Sequence, residues 1–196
     1  MKTNTALINA TLYTGEEKLE NKALLIRDGL IDSITDPSQI PSDFQLIDLK
    51  GLNVAPGLID LQIYGSGGKL FGAQPSVEGL EQLENDLLAQ GTTGFFATAA
   101  TNSVDVVLKV IDSAKEYRKK AKGNFLGIHL EGPYLNPKRK GAHPEQFIKK
   151  GTLQEVKNWV ERAEGELKMM TIAPELQDRE LMDYLYSNNI IISAGH

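Results

Sequence analysis

From Pro56 onward the sequence alternates apolar runs of strand length with helical periodicities, and this alternation restricts the fold more than any other feature. Gly57-Leu58-Ile59-Asp60-Leu61-Gln62-Ile63-Tyr64 predicts a first strand. Ser76 to Gln90, closed by Gly91, then carries Leu80, Leu83, Leu87 and Leu88 at helical spacing. Thr93 to Ala100 predicts a second strand, after which Asn102 or Ser103 caps a helix with Val107, Leu108, Ile111 and Ala114 on one face, ending before Gly123. Phe125 to Glu131 predicts a third strand, and Thr152-Leu153-Gln154-Glu155 reads as a capping box for a helix carrying Val156, Val160 and Ala163. Leu167 to Ala173, a helix within Asp178 to Ser187, and Ile190 to Ala194 complete five strands and four helices.

Strands that are apolar nearly throughout need cover on both faces, which is the property of parallel sheets with helical crossovers. Right-handed crossovers wind such units either into an open doubly wound sheet or into part of a (β/α)8 barrel. A doubly wound nucleotide-binding sheet calls for G-x-G-x-x-G after the first strand, and Gly65-Ser66-Gly67-Gly68 lacks that spacing. Polar residues instead gather at strand carboxyl ends: Gln62 and Tyr64, Thr98 and Thr101, His129 and Glu131, Glu175, and His196. Barrel active sites are built there, so an incomplete TIM-type barrel is the favoured α/β class. The stretch after Val54 is shorter than the roughly 250 residues of a typical barrel, so only the first five strands are expected.

The first 54 residues have a different texture. Ala6-Leu7-Ile8 and Thr11-Leu12-Tyr13 are short β-type runs, and Asp28-Gly29 stands between the apolar segments Ala23–Ile26 and Leu30–Ile31, a strong hairpin signal. Pro37 and Pro41 mark a loop before the alternating Phe44-Gln45-Leu46-Ile47-Asp48-Leu49. Residues 1–54 therefore read as a small β portion and residues 55–196 as the barrel portion.

Composition limits the chemistry. A formal charge of -5 gives no general attraction for nucleic acid or anionic lipid. The cluster Lys138-Arg139-Lys140 reads as a solvated loop. With no cysteine, a metal centre has to use His, Asp or Glu. No signal-peptide run follows Met1, and no stretch approaches the roughly 18 apolar residues of a membrane helix, so a cytoplasmic location is expected.

Glu131 and His196 end two different strands and are both metal-ligand types, which makes them the first candidate pair. His129 shares a strand face with Glu131 by the period of two, and is read as a buried hydrogen-bonding partner rather than a ligand.

Together Ala55-Pro56-Gly57-Leu58-Ile59-Asp60, Gly91-Thr92-Thr93-Gly94, His129-Leu130-Glu131-Gly132-Pro133-Tyr134-Leu135-Asn136, Lys140-Gly141-Ala142-His143, Ile172-Ala173-Pro174-Glu175 and Ser193-Ala194-Gly195-His196 resemble the N-acetylglucosamine-6-phosphate deacetylases of the amidohydrolase superfamily. The block from His129 to His143 is the specific part; Pro-Gly-Leu-Ile-Asp marks only the superfamily.

The resemblance implies a two-part enzyme, a β-sandwich made from both chain termini and a metal-bearing barrel, that hydrolyses N-acetylglucosamine 6-phosphate to glucosamine 6-phosphate and acetate. It implies Glu131 and His196 as metal ligands, His143 as the catalytic residue contacting the acetamide carbonyl, and Ala142 beside it in the substrate loop. One Zn2+ per site is the implied cofactor, with Fe2+ or another divalent metal as the alternative, and a homodimer is the implied assembly. Where the wider superfamily places two histidines on the first strand, this chain has Gln62 and Tyr64, which argues against a second ion. The family's third histidine ligand and its catalytic aspartate fall after His196, so the expectation is a truncated form lacking the general base. The competing expectations are an inactive fragment serving folding or assembly, and an amidohydrolase acting on another amide.

Overall fold

The computed structural model describes residues 4–196 and falls into two compact units, Met1–Pro56 and Gly57–His196.

In the first unit β1 (Thr5–Tyr13) is the centre of a five-stranded sheet. It pairs antiparallel with β2 (Lys18–Arg27), which pairs with β3 (Leu30–Thr35), and parallel with β4 (Gln45–Asp48) and β5 (Asn53–Val54). The two short runs around Ala6 and Thr11 are thus one strand. Between them Asn9 sits at φ 54, and the register with β2 shifts between Leu7 and Ala10. The Asp28-Gly29 turn has φ 55 and 83, as a tight primed hairpin requires. Ala6, Ala23, Leu25 and Phe44 form one buried cluster and Ala10, Leu12 and Leu24 another. The described residues of this unit make a single mixed sheet.

The second unit opens with β6 (Leu58–Ile63), followed by β7 (Gly65–Ser66) and β8 (Lys69–Leu70), a small hairpin that strand-helix periodicity did not announce. Its turn is Gly67-Gly68, both at positive φ. Then come α1 (Val77–Ala89), β9 (Thr92–Ala100), α2 (Val104–Arg118), β10 (Phe125–Glu131), α3 (Leu153–Ala163), β11 (Leu167–Ile172), α4 (Arg179–Ser187) and β12 (Ile191–Ala194). The helices start where cap chemistry puts them. Ser76 accepts from Gly79 N at 3.0 Å and Thr152 from Glu155 N at 3.3 Å. The reciprocal half of the capping box is absent, because the Glu155 carboxylate pairs with Lys149 at 2.6 Å instead.

All neighbouring strands of the large sheet are parallel, in the order β6-β9-β10-β11-β12. That order follows the chain without reversal. A doubly wound sheet changes direction at a switch point, whereas a sheet that always steps the same way curls as a half-barrel. Leu80, Leu83, Val110, Ile111, Ile128, Trp159 and Leu185 lie in its buried core, and the Trp159 indole stacks on Tyr134 with ring centroids 5.5 Å apart.

Two buried polar groups brace this unit. His129 is fully buried, with Nδ1 3.1 Å from the Leu61 carbonyl and Nε2 2.8 Å from Thr171 Oγ1. The carbonyl can only accept, so Nδ1 carries the proton, and the ring ties β6, β10 and β11 together. Burial holds His129 below the ordinary histidine range. Glu84 of α1 is also fully buried; its carboxylate accepts from the Tyr117 hydroxyl and from the backbone N–H groups of Lys122, Asn124 and Phe125.

Candidate metal centre

Three side chains from separate parts of the second unit converge at the carboxyl ends of its strands. Glu131 is the last residue of β10, His196 follows β12, and His143 lies in the connection between β10 and α3. One ligand atom from each lies within 4.8 Å of the other two. His196 Nε2 is 3.3 Å from Glu131 Oε1, and His143 Nε2 is 3.5 Å from Glu131 Oε2. The two imidazoles meet edge to face with centroids 4.6 Å apart. Glu131 and His143 are buried, while His196 is more open to solvent.

Each group is held from behind. Gln62 Nε2 donates to Glu131 Oε1 at 3.0 Å, the Tyr64 hydroxyl donates to Glu131 Oε2 at 2.5 Å, and Gln62 Nε2 also donates to the Tyr64 oxygen at 2.6 Å. Burial, reinforced by the bond to Glu131, pushes the Tyr64 hydroxyl above its ordinary pKa, so it stays a donor. His196 Nδ1 is 3.3 Å from the Arg139 carbonyl, and Asn136 N donates to the His196 carbonyl at 3.2 Å. His143 Nδ1 is 2.8 Å from Thr101 Oγ1, and burial keeps this ring below the usual histidine range.

These donors fit a cation. The Arg139 oxygen can only accept, so His196 Nδ1 bears a proton, and in the neutral ring Nε2 turns a lone pair toward the Glu131 carboxylate. In that form lone pairs face one another, an arrangement that a divalent ion turns from repulsive to favourable. Two ligand atoms each about 2.0 to 2.1 Å from a tetrahedral zinc lie about 3.4 Å apart, close to the two spacings observed. All available donors are oxygen and imidazole nitrogen, which suits zinc and iron. Gln62 and Tyr64 are engaged in holding Glu131 and are not free to hold a second ion.

A cavity of about 230 Å³ adjoins these groups, lined by Tyr64, Ala100, Glu131, Ala142, His143 and Pro144. Ala142 lies exposed at its rim. An apolar recess of about 240 Å³, lined among others by Leu70, Gly72 and Ala73, shares Tyr64, Ala100 and Pro144 with it.

Sequence reasoning picked out Glu131, His143, His196 and Ala142, and the fold brings all four to one place. It weighed Gln62 and Tyr64 only as poor ligands; their i, i+2 spacing at the end of a strand was the signal that they act as a pair on one face. Thr101 was marked only as a polar residue at a strand end, and neither its pairing with His143 nor the role of the Arg139 carbonyl gave a local signal, because the partners are distant in sequence.

Fold and site define an α/β half-barrel with a carboxylate–imidazole cluster at its strand ends that could hold a cation. The model of the NagA composite domain matches residues 5–54. The chain is 34% identical over 191 residues to the N-acetylglucosamine-6-phosphate deacetylase of Haemophilus influenzae, covering 97% of this chain and 50% of that protein. To the Bacillus subtilis protein of the same name it is 32% identical, covering 94% and 48%. The crystal structure of N-acetylglucosamine-6-phosphate deacetylase from Pasteurella multocida superposes with a TM-score of 0.90 at 32% identity, covering 98% of this chain and 51% of that one. The chain belongs to the N-acetylglucosamine-6-phosphate deacetylase family. It spans about half the length of the curated relatives it matches.

Proposed function

We propose that this chain supplies the metal-holding part of a hydrolase that removes the acetyl group of N-acetylglucosamine 6-phosphate. In this reading its sheet is the first five strands of a (β/α)8 barrel, residues 1–54 contribute to a β-sandwich, and the working unit is a cytoplasmic homodimer. The observation that carries the reading is the 3.3 Å approach of His196 Nε2 to Glu131 Oε1 on a sheet of sequential parallel order.

Glu131 and His196 would hold one divalent ion, zinc first and iron as the alternative, with Gln62 and Tyr64 fixing the carboxylate between them. When bound, such an ion makes water nucleophilic near neutral pH and polarises the carbonyl under attack. The chain's own residues do the positioning. His143 faces the cavity beside Glu131, where its ring addresses the acetamide oxygen, and a correctly aimed donor at that point contributes about 2.7 to 4 kcal/mol. Ala142, at the rim, borders the sugar. The general base is not among the residues assigned here, and the family resemblance supports a base contributed from outside these 196 residues.

The test is acetate release from N-acetylglucosamine 6-phosphate, with N-acetylgalactosamine 6-phosphate as competitor. The assay uses the zinc-loaded chain alone and the chain fused to the C-terminal half of the Haemophilus influenzae relative. Turnover by either form that Glu131→Gln abolishes is the expected result. Turnover that Glu131→Gln leaves intact contradicts the reading.

A further inference from the structure

The apolar recess of about 240 Å³ beside the cavity at Glu131 shares Tyr64, Ala100 and Pro144 with it as a common wall. Its far side is made by Leu70 at the end of β8 and by Gly72 and Ala73 just after it. The polar groups of the lining are already engaged. Asn102 Nδ2 donates to the Gly72 carbonyl at 3.2 Å and Asn102 Oδ1 accepts from Ser103 N at 2.8 Å. Thr101 Oγ1 lies 3.2 Å from the Glu131 carbonyl oxygen and 2.8 Å from His143 Nδ1, and the Tyr64 hydroxyl is held by Glu131. What remains for an incoming group is carbon surface.

The recess is also fixed in shape. Phe71 is buried in the core of the unit, and its N–H donates to the Tyr64 carbonyl at 2.8 Å. Gly72 lies against β9 so closely that a Cβ there would be 3.2 Å from Ala99 Cα, so the missing side chain is what lets the segment settle on the strand end.

We propose that this recess receives the acyl group of the substrate, and that the protein accepts N-acyl groups longer than acetyl, propionyl and butyryl among them. This deepens the deacetylation reading and rests on it. A planar amide carbon carries three substituents. With its oxygen at His143 and its nitrogen leading to the sugar at the Ala142 rim, the third direction runs to the wall that cavity and recess share. Ala100 stands in that wall. Two residues after Thr98 on β9, it falls on the strand face that Thr98 turns toward His129, and its single methyl leaves the passage open. A water takes up about 30 Å³ and a methylene is of similar size, so 240 Å³ exceeds several times over what an acetyl methyl fills.

The test compares N-acetyl-, N-propionyl- and N-butyrylglucosamine 6-phosphate as ligands of the 196-residue chain, kept metal-free so that none is hydrolysed. Dissociation constants come from NMR titration, and saturation transfer marks the ligand protons that touch the protein. Burying one methylene strengthens binding by about fourfold, so the wild-type dissociation constant is expected to fall by about that factor at each step. Saturation should be strongest at the terminal methyl of the butyryl compound. Ala73 is exposed, and Ala73→Leu fills the recess from that side, removing the gain of the longer acyl groups. Should that variant fail to fold, Ala100→Val, which narrows the shared wall, replaces it with the same expectation. Equal or weaker binding of the butyryl compound than of the acetyl compound by the wild type, or no binding of it, overturns the inference. A butyryl preference that survives in the folded variant does the same. Because binding is read and not turnover, a chain that releases no acetate still shows or lacks this order of affinities, and one that releases acetate without the order loses the recess alone.

Discussion

Glu131 Oε1 and His196 Nε2 lie 3.3 Å apart although 65 positions separate them in the chain. The distance follows from topology. Their strands, β10 and β12, flank β11 in a sheet of parallel strands, so both residues leave the sheet at the same end. Curling of the sheet then points them inward, and Arg139 and Asn136 fix the histidine from the intervening loop.

Tyr64 holds one oxygen of that carboxylate, so Tyr64→Phe removes a donor without removing a ligand. Loss of such an outer partner typically costs about 10 to 100-fold in metal affinity. Zinc affinity of the variant, measured by competition with a chelating dye, is expected to fall within that range while thermal unfolding of the metal-free chain changes little. An affinity equal to that of the wild type would remove Tyr64 from the account.

Glu84 provides a stability prediction with a definite pH sign. Burial alone would raise its pKa, but the Tyr117 hydroxyl and three backbone N–H groups outweigh that and hold it below the usual carboxylate range. A carboxylate lowered in this way stabilises the fold above about pH 4.5, and its contribution disappears as pH falls through the folded-state value. Hydrogen bonds to charged groups contribute roughly 1.5 to 3 kcal/mol each, and Gln can replace only some of these, so Glu84→Gln should destabilise by about 2 to 3 kcal/mol at pH 7. Urea midpoints of both forms should converge as the pH is lowered below the carboxylate range; a gap that stays constant in acid would contradict the assignment.

The first unit presents apolar side chains on both edge strands, Leu30 and Ile31 on β3 and Leu46 on β4, with relative exposures of 73%, 72% and 56%. Exposed apolar edges template association. Sedimentation velocity of the 196-residue chain at micromolar concentration is expected to show self-association, and Ile31→Lys with Leu46→Lys should shift it toward monomer. Surface changes of this kind usually alter stability by no more than about 0.5 kcal/mol each, so melting should be nearly unchanged. A monomeric wild-type chain would refute the prediction.

Much of the fold was legible because its signals are local. Ser76 and Thr152 cap helices from within the same turn, and Asp28-Gly29 closes a hairpin by its own backbone preference. Strand order was not legible from periodicity: apolar runs indicate burial but not pairing, so the polar strand ends and the missing glycine fingerprint favoured a half-barrel while the pairing itself required the structure. Glu84 was hidden for the opposite reason. It lies on the same helix stripe as Leu80, Leu83 and Leu87, yet an acid in a helix reads as solvated until its backbone partners, about 40 residues away, are in view. At the site, the ligand residue types were readable from strand ends, whereas Thr101, which orients His143 across 42 positions, required the fold.

The central claim is that Glu131 and His196 share a divalent ion. Isothermal titration of the metal-free chain with Zn2+ tests it most directly, in parallel with Glu131→Gln and His196→Gln. The account predicts one ion per chain, with affinity falling at least about 100-fold in each variant, beyond the loss expected from an outer partner. Absence of stoichiometric binding by the wild-type chain, or an affinity in either variant equal to that of the wild type, would contradict it.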